Sequence, residues 1–321
     1  MRGVSVIICC YNSAYRIRNT LEHLNEQVIE NDLEWEILLI DNASSDNTAS
    51  VAKEIWRDLN AKASFRVMRE ERSGLSYARE RGILESHYDF LLFCDDDNWL
   101  EKDFVMTAFN IMNSDGSIGA LGGLGIPKWE VSPSRWNLDL QGCYATGPQF
   151  HQDGEVSTSH VYGAACTFRK AAIKILVHKS FISILTGRKG KMLTAGEDHE
   201  LCYALRLLGY SIHYSKNLVF YHFIPKERMS KAYLSRLLDG FMISSHTLFL
   251  YKSLIEKKPE YKMTFVWLFI IKLKVLFSLF VKFDNNTKLA ARDVSLLLRS
   301  YSLFNRNLSR FNRQKEIFTQ Q

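Results

Sequence analysis

The first 115 residues alternate short apolar runs with amphipathic segments. VSVIICCYN (4–12), WEILLID (35–41), FRVMR (65–69) and DFLLFCD (89–95) are the apolar runs. Helical spacing follows each of them: from about Ala14 to Val28, after SSDNT, after Ser73-Gly74, and around Phe104 to Met112. Runs that are apolar throughout, rather than at every second position, belong to strands covered on both faces. Strands of that kind separated by helices predict an α/β fold with a mostly parallel, Rossmann-like sheet between helices. Ligands of such sheets bind just beyond the carboxyl ends of the strands. The polar residues at those ends are Tyr11-Asn12, Asp41-Asn42, Arg69 to Arg72 and Asp95 to Asp97.

The pattern from 116 to 225 is less regular. It holds the glycine-rich GALGGLG, a polar loop with Trp129 and Trp136, and a strand-like VYGAACTFR. A loop bearing Gly187, Gly190 and Gly196 leads into the helical GEDHELCYALRLLG, and the strand-like SIHYS and LVFYH close the region. Residues 226–321 read as a helical extension. Within it, Met263 to Val281 is almost wholly apolar and long enough to span a bilayer. Lys272 and Lys274 near its middle each cost about 2.5–3.5 kcal/mol in a spanning helix, which makes insertion marginal. Its apolar residues form one continuous helical face, so a helix lying in the membrane interface is the expectation.

Composition sharpens two points. The 321 residues are 46% hydrophobic and 24% charged, an ordinary globular balance with length for a full core. The net charge of +6 is concentrated at the end, where residues 252–321 carry 14 Lys and Arg against 5 Asp and Glu. A basic tail of this kind suits peripheral contact with anionic lipid. The six cysteines form no CxxC pair, and Cys9 and Cys94 lie inside apolar strand-like runs, as expected of reduced, buried thiols. Val4 to Cys10 is too short for a secretory apolar region. The expected location is therefore cytoplasmic, at the inner face of the cell membrane.

The chemistry starts with Asp95-Asp96-Asp97, which closes an apolar strand. A capped turn needs one acidic residue, and three exceed that need. Mg²⁺ and Mn²⁺ prefer oxygen ligands and bind through one or two carboxylates plus substrate phosphates. Alternation along an extended strand would let Asp95 and Asp97 converge while Asp96 turns away or toward a ribose. Asp41 closes a second strand on the same edge, where a carboxylate can accept hydrogen bonds from a base or a ribose hydroxyl. Glu197 and Asp198 open a helix, where acidic side chains are also favoured by the helix dipole.

Taken in order, these motifs resemble the family-2 glycosyltransferases of the GT-A fold over about the first 225 residues. The resemblance implies a catalytic domain of 1–225, with a nucleotide-sugar-binding half (1–115) and an acceptor half (116–225). It implies that Tyr11 and Asn12 border the nucleobase, that Asp41 contacts base or ribose, and that Arg72 and Arg79 approach the diphosphate. Glu80 stands in the Gly74 to Gly82 element where the family commonly has Asn. The DxD motif maps onto Asp95 and Asp97, with Asp96 beside the donor and Mn²⁺ or Mg²⁺ as the cofactor. His222 is a further candidate metal ligand, and Asp198 maps onto the general base. The reaction implied is metal-dependent, inverting transfer from a nucleotide-diphosphate sugar, UDP by preference. The acceptor would be a glycan or a lipid-linked oligosaccharide in surface polysaccharide synthesis, with no nucleic-acid partner.

Three other classes fit less well. A dinucleotide oxidoreductase needs G-x-G-x-x-G after the first strand, and CCYNSAY stands there. A sugar nucleotidyltransferase would usually show a basic, glycine-rich loop at the same place. A non-catalytic sugar-binding relative would have no need of both Asp97 and Asp198.

Overall fold

The computed structural model describes residues 1–30, 33–157, 159–187, 195–257 and 306–318. Met263 to Val281 and the loop cations Arg188, Lys189 and Lys191 lie outside the described residues.

The expected alternation is present. In order come β1 (Val4–Cys10), α1 (Ile17–Asn25), β2 (Trp35–Asn42), α2 (Thr48–Asp58), β3 (Ser64–Glu70), α3 (Leu75–Glu85) and β4 (Phe90–Asp95). β1 pairs in parallel with β2 and β4, and β2 pairs in parallel with β3. Side chains alternate between two cores. Val4, Val6, Ile8, Ile37 and Leu39 face α1, α2 and α4 (Phe104–Ser114), whereas Ile7, Leu38, Ile40 and Leu91 face the other layer.

The second half adds β5 (Asn98–Leu100), β6 (Ile118–Trp129), α5 (Arg135–Asp139), β7 (Gly154–Glu155), β8 (Cys166–Arg169), α6 (Lys170–His178), α7 (Glu197–Leu207), β9 (Ser211–Ile224) and α8 (Lys231–Ile255). The path across the sheet is β3-β2-β1-β4-β8-β6-β9-β5, with β7 beside β9. β8 runs antiparallel to both its neighbours and β5 antiparallel to β9, so the sheet is mostly rather than wholly parallel.

Three segments differ from the periodicity. GALGGLG is part of the long strand β6, because glycine lets neighbours approach where a side chain would collide. A Cβ at Gly122 would meet Val161 at 2.5 Å, and one at Gly123 would meet the Leu218 carbonyl at 2.2 Å. SIHYS and LVFYH are one strand, held together by β6 through a register shift at Gly122/Leu124. VYGAACTFR is extended only from Cys166, since Ala165 takes a left-handed φ of 51°.

α8 packs along α7, and its Tyr251 is fully buried against Phe311 (ring centroids 4.9 Å) from the helical residues 306–318. The described part of the C-terminal extension therefore shares the second core with Ile7, Leu38 and Ile40. Among the described residues no helix is long and apolar enough to cross a membrane. All six cysteines are free thiols.

Candidate active site

β4 ends at Asp95, and Asp96-Asp97 form the turn into β5. Strand alternation therefore stops at Asp95, two residues before Asp97. The turn, not the pleat, aims the acids, and all three line one cavity of about 390 Å³ at the carboxyl edge of the sheet. Asp96 does not turn away from it.

Each acid of the turn has its own cation. Arg16, at the start of α1, grips Asp96 with two nitrogens, Nη2 2.6 Å from Oδ2 and Nε 3.0 Å from Oδ1. Ser13 Oγ donates to the same carboxylate. Asp97 is buried; its Oδ2 accepts from Arg228 Nη1 at 2.8 Å and its Oδ1 lies 3.4 Å from His222 Nε2. Burial pushes the Asp97 carboxyl up, but Arg228 and His222 outweigh this and hold it well below the usual carboxylate range. The register explains the encounter: Asn98 of β5 sits opposite His222 of β9, and the Phe223 N–H donates to the Asp97 carbonyl at 2.9 Å.

His222 Nδ1 is 2.6 Å from the Tyr144 carbonyl, so that nitrogen carries the proton. With Nε2 also protonated the ring is a cation that donates toward Asp97, which is how it lowers that carboxyl. Loss of that proton leaves an Nε2 lone pair facing Asp97, the arrangement usual in metal-ligating histidines. Among the described residues no three His, Cys, Asp or Glu side chains stand close enough to enclose a cation. Asp97 Oδ1 and His222 Nε2 form a two-donor set beside Asp95, which fits a hard cation completed by phosphate oxygens rather than an all-protein cage.

α7 and the loop before β8 also line the cavity. Asp198 accepts from the Gly163 N–H (2.6 Å) and the His199 N–H (2.9 Å), one bond per oxygen. A Cβ on Gly163 would stand 2.4 Å from Asp198 Oδ2, so this approach requires glycine. Burial raises the Asp198 carboxyl, yet the His199 ring in its charged form, the Arg79 guanidinium and the His199 N–H hold it below its ordinary value. Glu197 pairs with Arg79 at 3.1 Å, and Arg79 lies over the Phe93 ring. Glu200 faces the other way, binding the Ile184 and Leu185 N–H groups and the Tyr251 hydroxyl. The three acids of GEDHE thus separate into a partner for Arg79, a cavity carboxylate and a structural anchor.

The cavity brings together Tyr11, Arg79, Asp95, Asp96, Asp97, Asp198 and His222. Asn12, Asp41 and Arg72 are absent from its walls. Asn12 has a φ of 49°, which asparagine tolerates, and its side chain accepts from the Ser45 N–H at 2.9 Å. Asp41 is buried and bonded to Arg69 (2.9 Å) and the Ser44 N–H (3.2 Å). Arg72 lies over the Tyr77 ring and pairs with Glu70 and Glu80, which gives the unexpected Glu80 a partner. Arg16 and Arg228 were not legible as site residues. Arg16 is one basic residue among several near α1, and Arg228 reaches Asp97 only through the β5–β9 register.

Residues 5–176 match the family model described as Glycosyl transferase family 2. Putative glycosyltransferase EpsH of Bacillus subtilis (strain 168) is 32% identical over 102 residues, which are 32% of this chain and 28% of that protein. The match thus spans less than a third of that relative's length. Among solved structures, S. aureus TarS 1-349 in complex with UDP-GlcNAc superposes with a TM-score of 0.56 at 16% identity, covering 93% of this chain and 81% of that one. The mannosyltransferase PcManGT from Pyrobaculum calidifontis, in complex with GDP-Man and Mn2+, gives 0.54 at 15% identity, covering 98% and 76%. These likenesses establish the shared GT-A fold.

Proposed function

The chain belongs to glycosyl transferase family 2, and on that premise we propose that it is a metal-dependent inverting glycosyltransferase. The donor is a nucleotide-diphosphate sugar, UDP by preference, and the acceptor a hydroxyl of a glycan or lipid-linked oligosaccharide in surface polysaccharide synthesis. The single observation that carries this reading is one cavity lined both by the Asp95–Asp97 turn and by the amide-bound Asp198.

Asp97, with Asp95 and His222, would hold Mn²⁺ or Mg²⁺. A divalent cation there supplies charge stabilisation to the departing diphosphate without proton transfer. The charge of the cavity points the same way. Arg16, Arg228 and Arg79 are each paired with a carboxylate, and Asp95, Asp96, Asp97, Glu197 and Asp198 outnumber them on the walls, so an entering diphosphate needs a cation to accompany it. The ionised Asp198 takes the proton of the attacking acceptor hydroxyl. Attack from the face opposite the leaving group, in one step, inverts the anomeric centre. Tyr233 and Phe241 of α8 add an aromatic flank suited to a sugar ring. Peripheral contact with anionic membrane is supported by the basic excess of residues 252–321.

The test is nucleotide release from UDP-GlcNAc, other UDP-sugars and GDP-mannose with Mn²⁺. Turnover of at least one donor, lost in both Asp97→Ala and Asp198→Asn, supports the reading. Absence of turnover across the panel, together with no UDP binding, overturns it.

A further inference from the structure

Behind Asp198 two imidazoles are stacked. The rings of His199 and His160 lie 3.5 Å apart between centroids and 26° from parallel. His160 Nδ1 shares a hydrogen bond of 3.2 Å with the Tyr203 hydroxyl, and the Tyr203 ring meets His160 edge-on. Tyr203 and His199 both belong to α7, and His160 to the loop that also delivers Gly163 to Asp198. The loop is therefore fastened to α7 twice, once at the carboxylate and once at the ring of the next residue. His199 Nε2 stands 3.9 Å from Asp198 Oδ1, beyond a formed hydrogen bond but within reach of a small rotation. Catalytic hydrogen bonds are often long in an empty site and tighten in the loaded one.

We propose that the His199 imidazole, braced by His160, is a positioning residue for Asp198, its Nε2–H donating to Oδ1 when the acceptor hydroxyl is engaged. This rests on the reading of Asp198 as the base. The two backbone amides fix the position of the carboxylate, and the imidazole fixes which lone pair faces the acceptor. A neutral ring can give that hydrogen bond without taking the proton that Asp198 must collect. The stack keeps the rings neutral, because a charge on either would be buried against the other. Burial and His199 push His160 down to about 3, and burial lowers His199 although Asp198 opposes it. The charged and titratable groups around the pair are Asp198 on α7, Arg79 on α3 with its partner Glu197, and Lys252 on α8.

The experiment has two arms on the full chain. In the first, the imidazole proton signals of His199 and His160, assigned with His199→Phe and His160→Phe, are titrated by NMR in wild type and Asp198→Asn. Loss of the Asp198 charge should move the His199 titration to lower pH; an unmoved His199 titration overturns the proposal. In the second, nucleotide release is followed with the donor that the wild type turns over. His199→Phe keeps a stacking ring without a donor and should lower kcat by about 10–100-fold at unchanged donor KM. His199→Asn, which keeps an N–H, should recover part of the loss. A His199→Phe enzyme with wild-type kcat overturns the proposal. Retention of full transfer in Asp198→Asn would instead sink the base assignment itself, so the two failures are separable.

Discussion

Arg228 Nη1 lies 2.8 Å from Asp97 Oδ2, joining the turn after β4 to the 3₁₀ turn after β9 across 131 residues of sequence. Both residues line the cavity, and Asp97 is 3% exposed at its side chain. Removing one partner of a buried pair leaves the other charge without compensation, which is costlier than the pair is worth.

Arg228→Met should therefore destabilise the fold by about 1–3 kcal/mol in urea unfolding at pH 7. The pH dependence has a defined sign. The folded Asp97 carboxyl is held below its unfolded value of about 3.9, so its contribution is complete above that pH. It is lost as pH falls toward the depressed folded value. The stability gap between wild type and Arg228→Met should hold from pH 7 to pH 5 and narrow below pH 4. A gap that widens on acidification would show that the pair does not act this way.

Gly163→Ala places a Cβ 2.4 Å from Asp198 Oδ2 and pushes the carboxylate off the Gly163 N–H. Turnover should drop by about tenfold or more, since small misplacements of catalytic groups are expensive. UDP affinity, measured by calorimetry, should change little. Equal losses in both would point to general disruption of the loop.

Gly82→Ala tests the packing of α3 on the sheet. Its Cβ would meet Ile7 Cγ2 at 2.4 Å, between helix and strand, and overpacking of this kind costs about 1–3 kcal/mol. Thermal unfolding should report the loss, and an unchanged midpoint would mean that β1 and α3 yield easily.

Asp198→Asn keeps the shape and one of the two backbone amide contacts, since its single oxygen can accept from only one N–H, while removing the basic oxygen. Acid–base groups contribute about 10²–10⁴-fold, and kcat should fall by that order while UDP binding persists. Preserved kcat would return Asp198 to a structural role, acceptor of the Gly163 and His199 amides.

Much of this site was readable because its motifs are local. Asp95 to Asp97 close a visible apolar run, which places them at the sheet edge; Glu197-Asp198 open a visible helix, but only the family resemblance brought them to the same site. What stayed hidden depends on register and turn geometry. Arg228 meets Asp97 only because β5 pairs with β9, and β5 is three residues long. The glycines of β6 gave no strand signal, although close packing against Val161 and Leu218 is what requires them in a strand. His199 was in plain view beside Asp198, but its stacking partner His160 is 39 positions away in the chain and carries no periodic signal.

The most direct test of the site as a sugar-transfer centre is UDP release from a panel of UDP-sugars, measured with Mn²⁺, with EDTA, and in Asp97→Ala. At least one donor should be turned over with Mn²⁺, and both EDTA and Asp97→Ala should abolish that turnover. Release that continues undiminished in EDTA and in Asp97→Ala would contradict a metal-dependent centre at the Asp95–Asp97 turn.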